Sequence, residues 1–111
     1  MILTYKNTAR EDEFIQLVKY GYRVEVICAK SARKQHANWY GRWFVRAVNE
    51  KSGKETVLVT ARKSDDGARK MQPRFFRTLP GLFSFLYEND LSSIIAVPAQ
   101  SGMRSVQPDT D

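Results

Sequence analysis

The sequence predicts an α+β domain, a two-layer sandwich in which a twisted antiparallel sheet of four to five strands carries two helices packed on one face. Two segments have helical apolar spacing, three consecutive segments between them alternate with period two, and a length of 111 residues suits one core. Hydrophobic residues make up 42% of the chain and charged residues 27%, the balance of an ordinary globular protein.

Whether residues 1–5 add a strand is left open by their pattern. The first helix is predicted from Thr8, which Glu11 follows at the spacing of a reciprocal capping pair, with Glu11, Asp12 and Glu13 placed where the helix dipole favours negative charge. Phe14, Leu17 and Val18 give it one apolar face, and Gly21 a stop. Residues 22–30 then read as a strand with Tyr22, Val24, Val26 and Cys28 on one face and Arg23, Glu25 and Ile27 on the other. Polar, basic residues 31–38 are predicted to be an exposed connection.

A long strand over residues 39–49 puts Trp39, Gly41, Trp43, Val45 and Ala47 on one side and Tyr40, Arg42, Phe44, Arg46 and Val48 on the other. A turn over residues 50–53 leads to a Val- and Thr-rich strand over residues 54–62. Residues 63–74 carry charges, Gly67 and Pro73 without periodicity, and are expected to form a mobile loop. Phe75 to Arg77 add a short edge strand. Thr78 then caps a second helix with Pro80 in its first turn and Leu79, Leu82, Phe83 and Leu86 as its core stripe. A last strand is expected over residues 91–97, so residues 1–98 form one domain, and the small, polar residues 99–111 a disordered tail. Both faces of the 39–49 strand carry aromatics, so the pattern leaves open which face the helices cover.

Nothing in the chain assembles a catalytic constellation. Cys28 is the single cysteine and lies mid-strand, His36 is the single histidine and lies in a basic stretch, and Asp65 and Asp66 read as turn residues before Gly67. The glycines fit no phosphate-cradling motif. A binding protein without enzymatic activity, cofactor or metal is expected. No apolar run is long enough for a membrane span or a signal peptide, so the expected location is the cytoplasm.

Charge is segregated along the chain. Residues 30–77 hold thirteen Lys or Arg against four Asp or Glu, a net +9, while the remainder is −3. A field concentrated on one part of a fold attracts polyanions. The second face of the central strand alternates aromatic residues with arginine, and rings stack on bases while cations neutralise phosphates. The candidate nucleic-acid-binding residues are therefore Tyr40, Arg42, Phe44 and Arg46, extended by Arg33, Lys34, Arg62 and Lys63, and by Arg69, Lys70 and Arg74 in the following loop. DNA is favoured over RNA as the partner, and a homodimer is expected, because a chain this short gains from burying further surface. A second reading stays open: a protein-interaction or dimerisation module whose positive charge is incidental.

One resemblance covers most of the chain. A Gly-Tyr-x-Val strand start at Gly21 to Val24, the aromatic and basic strand over residues 39–48, Val-Leu-Val-Thr-Ala-Arg at residues 57–62 and Phe-Arg-Thr-Leu at residues 76–79 resemble small partition-associated proteins of plasmids and integrating elements. The resemblance implies an accessory role in plasmid or mobile-element maintenance and carries over no individual binding residue.

Overall fold

The computed structural model of the protein describes residues 7–63, 67, 69–91 and 95–106. In chain order the elements are β1 (Thr8–Ala9), α1 (Glu11–Lys19), β2 (Arg23–Gln35), β3 (Asn38–Val48), β4 (Glu55–Lys63), β5 (Arg69–Pro73), β6 (Phe76–Thr78), α2 (Leu79–Glu88) and β7 (Arg104–Val106). The α+β class holds, but among the described residues the sheet has seven strands instead of four to five, and it is mixed because β1 runs parallel to β4. The spatial order is β1-β4-β3-β2-β7, with β5 on β4 and β6 on β3.

β3 and β4 make a fork. They pair only at Arg46 to Val48 against Val57 to Glu55 and then separate. Successive residues of a strand turn their hydrogen-bonding groups to opposite sides. The Val57 N–H donates to the Asn7 carbonyl beside β1, so the next carbonyl, that of Leu58, faces β3, and there it accepts from the Arg74 N–H at 2.9 Å. The chain from β5 to β6 therefore enters the gap, bonding first to β4 and then to β3. Residues 69–73, expected to be loop, are strand, because β4 offers them its free edge.

The helices cover the Trp43, Val45 and Ala47 face of β3. Phe14 of α1 and Leu82, Phe85 and Leu86 of α2 join these residues, Val24, Val26 and Cys28 in one core. On α2, Phe85 takes the buried place expected for Phe83, which is 53% exposed. The α2 start is as predicted: the Thr78 hydroxyl accepts from the Gly81 N–H at 3.2 Å, and a proline occupies the first turn. The α1 start is not. Thr8 pairs with Val57 in β1, and Arg10 is the N-cap, its N–H donating to Glu13 Oε1. The sheet takes Thr8 and shifts the helix start by two residues.

The β2–β3 hairpin is longer than the sequence suggests. β2 runs to Gln35, which pairs with Asn38, leaving a two-residue turn in which His36 has a φ of 58°. Apart from Ala32, Ser31 to Gln35 are polar, yet the register imposed by β3 keeps them extended. β2 has two register shifts, one between Cys28 and Lys30 and one between Lys30 and Arg33, and the second sets two residues opposite Gly41. A Cβ on Gly41 would lie 2.8 Å from Trp43 Cη2 and 3.0 Å from the Lys30 carbonyl oxygen, so the bulged strand and the indole leave room only for glycine.

Of the tail expected to be disordered, residues 99–106 are structured, and residues 107–111 lie outside the described residues. Pro98 accepts a 2.8 Å hydrogen bond from the buried Trp43 indole, Ala99 accepts from the Ala32 N–H, and Cys28 exchanges backbone bonds with Gly102 and Met103. β7 then pairs with Glu25 to Ile27. These bonds use backbone groups, which composition does not report. Of the strand expected over residues 91–97, residues 95–97 are irregular, and residues 92–94 lie outside the described residues, as do residues 1–5.

Candidate nucleic-acid interface

Residues opposite each other in an antiparallel pair share a face. Away from the helices, the β2–β3 ladder therefore presents Glu25 with Arg46, Ile27 with Phe44, Lys30 with Arg42 and Arg33 with Tyr40. The four candidates on β3 do lie on this one face, but its two halves differ in chemistry.

The inner half belongs to the fold. Phe44 is 8% exposed and joins Val57 and Val59, with Ile27 and Phe75 against them, in a second apolar cluster. Its ring meets that of Phe75 edge-on at 5.9 Å. Arg46 donates from Nε to Glu25 Oε1 at 2.6 Å and from Nη1 to Glu55 Oε2 at 3.0 Å, and Arg104 reaches the second Glu25 oxygen. A covered ring cannot stack on a base, and a guanidinium between two carboxylates has its charge balanced. Period-two alternation assigned Phe44 and Arg46 to a face without revealing what covers it. Glu25, with Glu55 opening the next strand, was the signal for the ion pairs.

The outer half is cationic and open. Lys30, Arg33 and Arg42 are exposed and Tyr40 is half-buried, whereas Lys34, also exposed, stands across from Trp39 and so lies on the opposite, helix-covered face. Among the described residues no carboxylate pairs with these cations. Lys30 stands directly across from Arg42, an arrangement that destabilises a sheet unless something offsets the repulsion. Arg42 is held with Cζ 5.1 Å over the Phe75 ring. The β4–β5 pair repeats the pattern: its register sets Arg62 across from the exposed Lys70, and Lys63 across from Arg69.

Arg74 lies against the core that the helices cover. Its Cζ sits 4.9 Å over Phe85 and 5.1 Å over Phe76, and Nη1 reaches Glu11 at 3.3 Å. It also lines a depression of about 320 Å³ at the fork with Arg42, Thr60, Gln72, Phe75 and Arg77. Arg77 was absent from the sequence candidates. The run Arg74-Phe75-Phe76-Arg77, two cations bracketing two rings, was the signal that could have found it.

Cys28 is buried, its thiol donates to the Lys30 carbonyl at 3.1 Å, and burial pushes its pKa above 9.0, against the thiolate a nucleophile needs. His36 is exposed in the hairpin turn. Among the described residues no cluster of His, Cys, Asp or Glu could hold a metal, and no helix is long and apolar enough to cross a membrane. Compared with known proteins, the chain matches no protein family, no curated protein and no solved structure.

Proposed function

We propose that the chain is a non-enzymatic nucleic-acid-binding accessory protein, with DNA its preferred ligand, and that binding uses the outer half of the β2–β3 ladder with the β4–β5 ladder beside it. One observation carries the reading: cations stand across from cations at Lys30 and Arg42 with no carboxylate between them among the described residues. Such pairs cost stability and return none, which makes sense when a polyanion completes them. Tyr40, across from Arg33, is the ring best placed to meet a base. Phe44 and Arg46 are left out of the site. Service in plasmid or mobile-element maintenance, in the cytoplasm, is the setting that the resemblance of residues 57–62 and 76–79 suggests.

The test is fluorescence anisotropy with labelled single-stranded DNA, duplex DNA and RNA at several salt concentrations. Binding that weakens steeply with salt, and more weakly still in the double variant Arg33→Ala with Arg42→Ala, is the expected result. Absence of binding at low salt would overturn the reading.

A second reading, association with another copy of the chain, is favoured by a different surface. Trp39 is 44% exposed and Phe83 53%. Both line an apolar groove between the hairpin turn and α2, and the Phe83 and Tyr87 rings are stacked 5.6 Å apart. Sedimentation of the parent and of Phe83→Glu, a change at an exposed helix position, decides it. A dimer that the substitution dissolves supports self-association, and a parent monomer at all concentrations excludes it.

A further inference from the structure

The fork pocket has a charge and a shape that the general reading does not need. Four strands contribute to its lining: Arg42 from β3, Thr60 from β4, Gln72 from β5 and Arg77 from β6, with Arg74 and Phe75 from the segment between β5 and β6. Thr60 and Gln72 stand directly across from each other in the β4–β5 register, so a hydroxyl and a carboxamide are presented on the same side. Three arginines line it, and among the described residues one carboxylate, Glu11 on Arg74, opposes them, which leaves two of their positive charges unbalanced.

Resting on the proposed nucleic-acid reading, we infer that this pocket recognises the terminal phosphate of a nucleic-acid strand, a phosphomonoester, in preference to the phosphodiesters within it. A phosphodiester carries one negative charge, whereas a phosphomonoester carries about −1.5 to −2 at neutral pH, the value that two unbalanced cations match. Guanidinium forks suit the three terminal oxygens, and the Gln72 amide and Thr60 hydroxyl add neutral donors. The pocket, about 320 Å³, lies near the lower end of the roughly 300–1,000 Å³ found for small-ligand sites, so it suits a strand end better than a continuous run of chain. Arg42 belongs both to this pocket and to the Lys30 pair, so a strand lying along the outer ladder would end here.

Anisotropy titrations with one single-stranded DNA sequence, bearing a 5′-phosphate, a 3′-phosphate or neither, test the inference. One phosphorylated end is expected to tighten binding by about tenfold, the scale of one strong charge-assisted contact. In Arg77→Ala, an exposed position, the ratio of phosphorylated to unphosphorylated affinity should fall toward one, and Arg77→Lys should restore it only in part, because lysine lacks the fork. Equal affinities for all three strands would overturn the terminal-phosphate inference while leaving nucleic-acid binding standing. If no strand binds, titration with inorganic phosphate separates the two. Shifts of the Gln72 side-chain amide in the NMR spectrum would keep a phosphate pocket and remove the nucleic acid, and their absence would remove both.

Discussion

At the scale of single residues, Arg46 shows how a side chain with the right chemistry for a ligand can be committed to the fold instead. Glu25 is 5% exposed, and its two oxygens are taken by Arg46 and by the more exposed Arg104. Arg46→Ala would leave that buried carboxylate with one solvent-facing partner, so a loss of about 2 kcal/mol in denaturant unfolding is expected. Arg42→Ala should change stability by about 0.5 kcal/mol or less, because its guanidinium is exposed and the contact it gives up is one cation–π pair. Comparable losses from both substitutions would mean that the ion pairs around Glu25 do not set the inner half apart. Cys28 gives a second prediction. Burial raises its pKa in the folded chain above the ordinary 9.0. The stability this lends is fully present below pH 9 and is lost as pH rises through the higher folded value. Stability measured from pH 8 to pH 11 should therefore fall less steeply in Cys28→Ala than in the parent, and parallel curves would remove the thiol from the account.

Among the elements, those whose residues state their own chemistry were legible and those defined by a partner strand were not. Thr78 with Pro80 marks the start of α2 because a hydroxyl, a missing N–H and the following amides satisfy one another locally. Val24, Val26 and Cys28 mark the buried face of β2 because alternation is a property of one strand. Ser31 to Gln35, Arg69 to Pro73 and the segment beyond Pro98 carry no such signal. Their extended form comes from bonds to β3, β4 and β2. Removing residues 99–111 tests this directly. Loss of a disordered tail would be silent, but here Cys28 and Ala32 lose backbone partners and the edge of β2 is uncovered. A lower melting temperature and faster amide exchange at Cys28 and Ala32 are expected, and an unchanged melting temperature would contradict the placement of β7.

For the whole molecule, the segregated charge noted in the sequence becomes an arrangement with a cost. The net +9 of residues 30–77 is not spread evenly over the fold. Seven of its thirteen Lys and Arg residues fall on two ladders, Lys30, Arg33 and Arg42 on β2–β3 and Arg62, Lys63, Arg69 and Lys70 on β4–β5, while Glu25, Glu55 and Glu11 neutralise Arg46 and Arg74 nearer the core. Stability and binding should therefore respond in opposite directions to one substitution. Lys30→Glu replaces a repulsive cross-strand pair with an attractive one opposite Arg42, and is expected to raise stability by about 0.5 kcal/mol at low salt, an effect that screening should diminish. The same change adds a negative charge where a phosphate would lie, so affinity for nucleic acid should drop and its salt dependence flatten. Urea unfolding and anisotropy on a single preparation, each at low and high salt, read both quantities. A variant that is more stable and binds worse identifies the outer ladder as a surface kept electrostatically strained for a polyanion. A variant that is more stable and binds as the parent does would mean that this strain serves another purpose, and would move the nucleic-acid site away from the β2–β3 ladder.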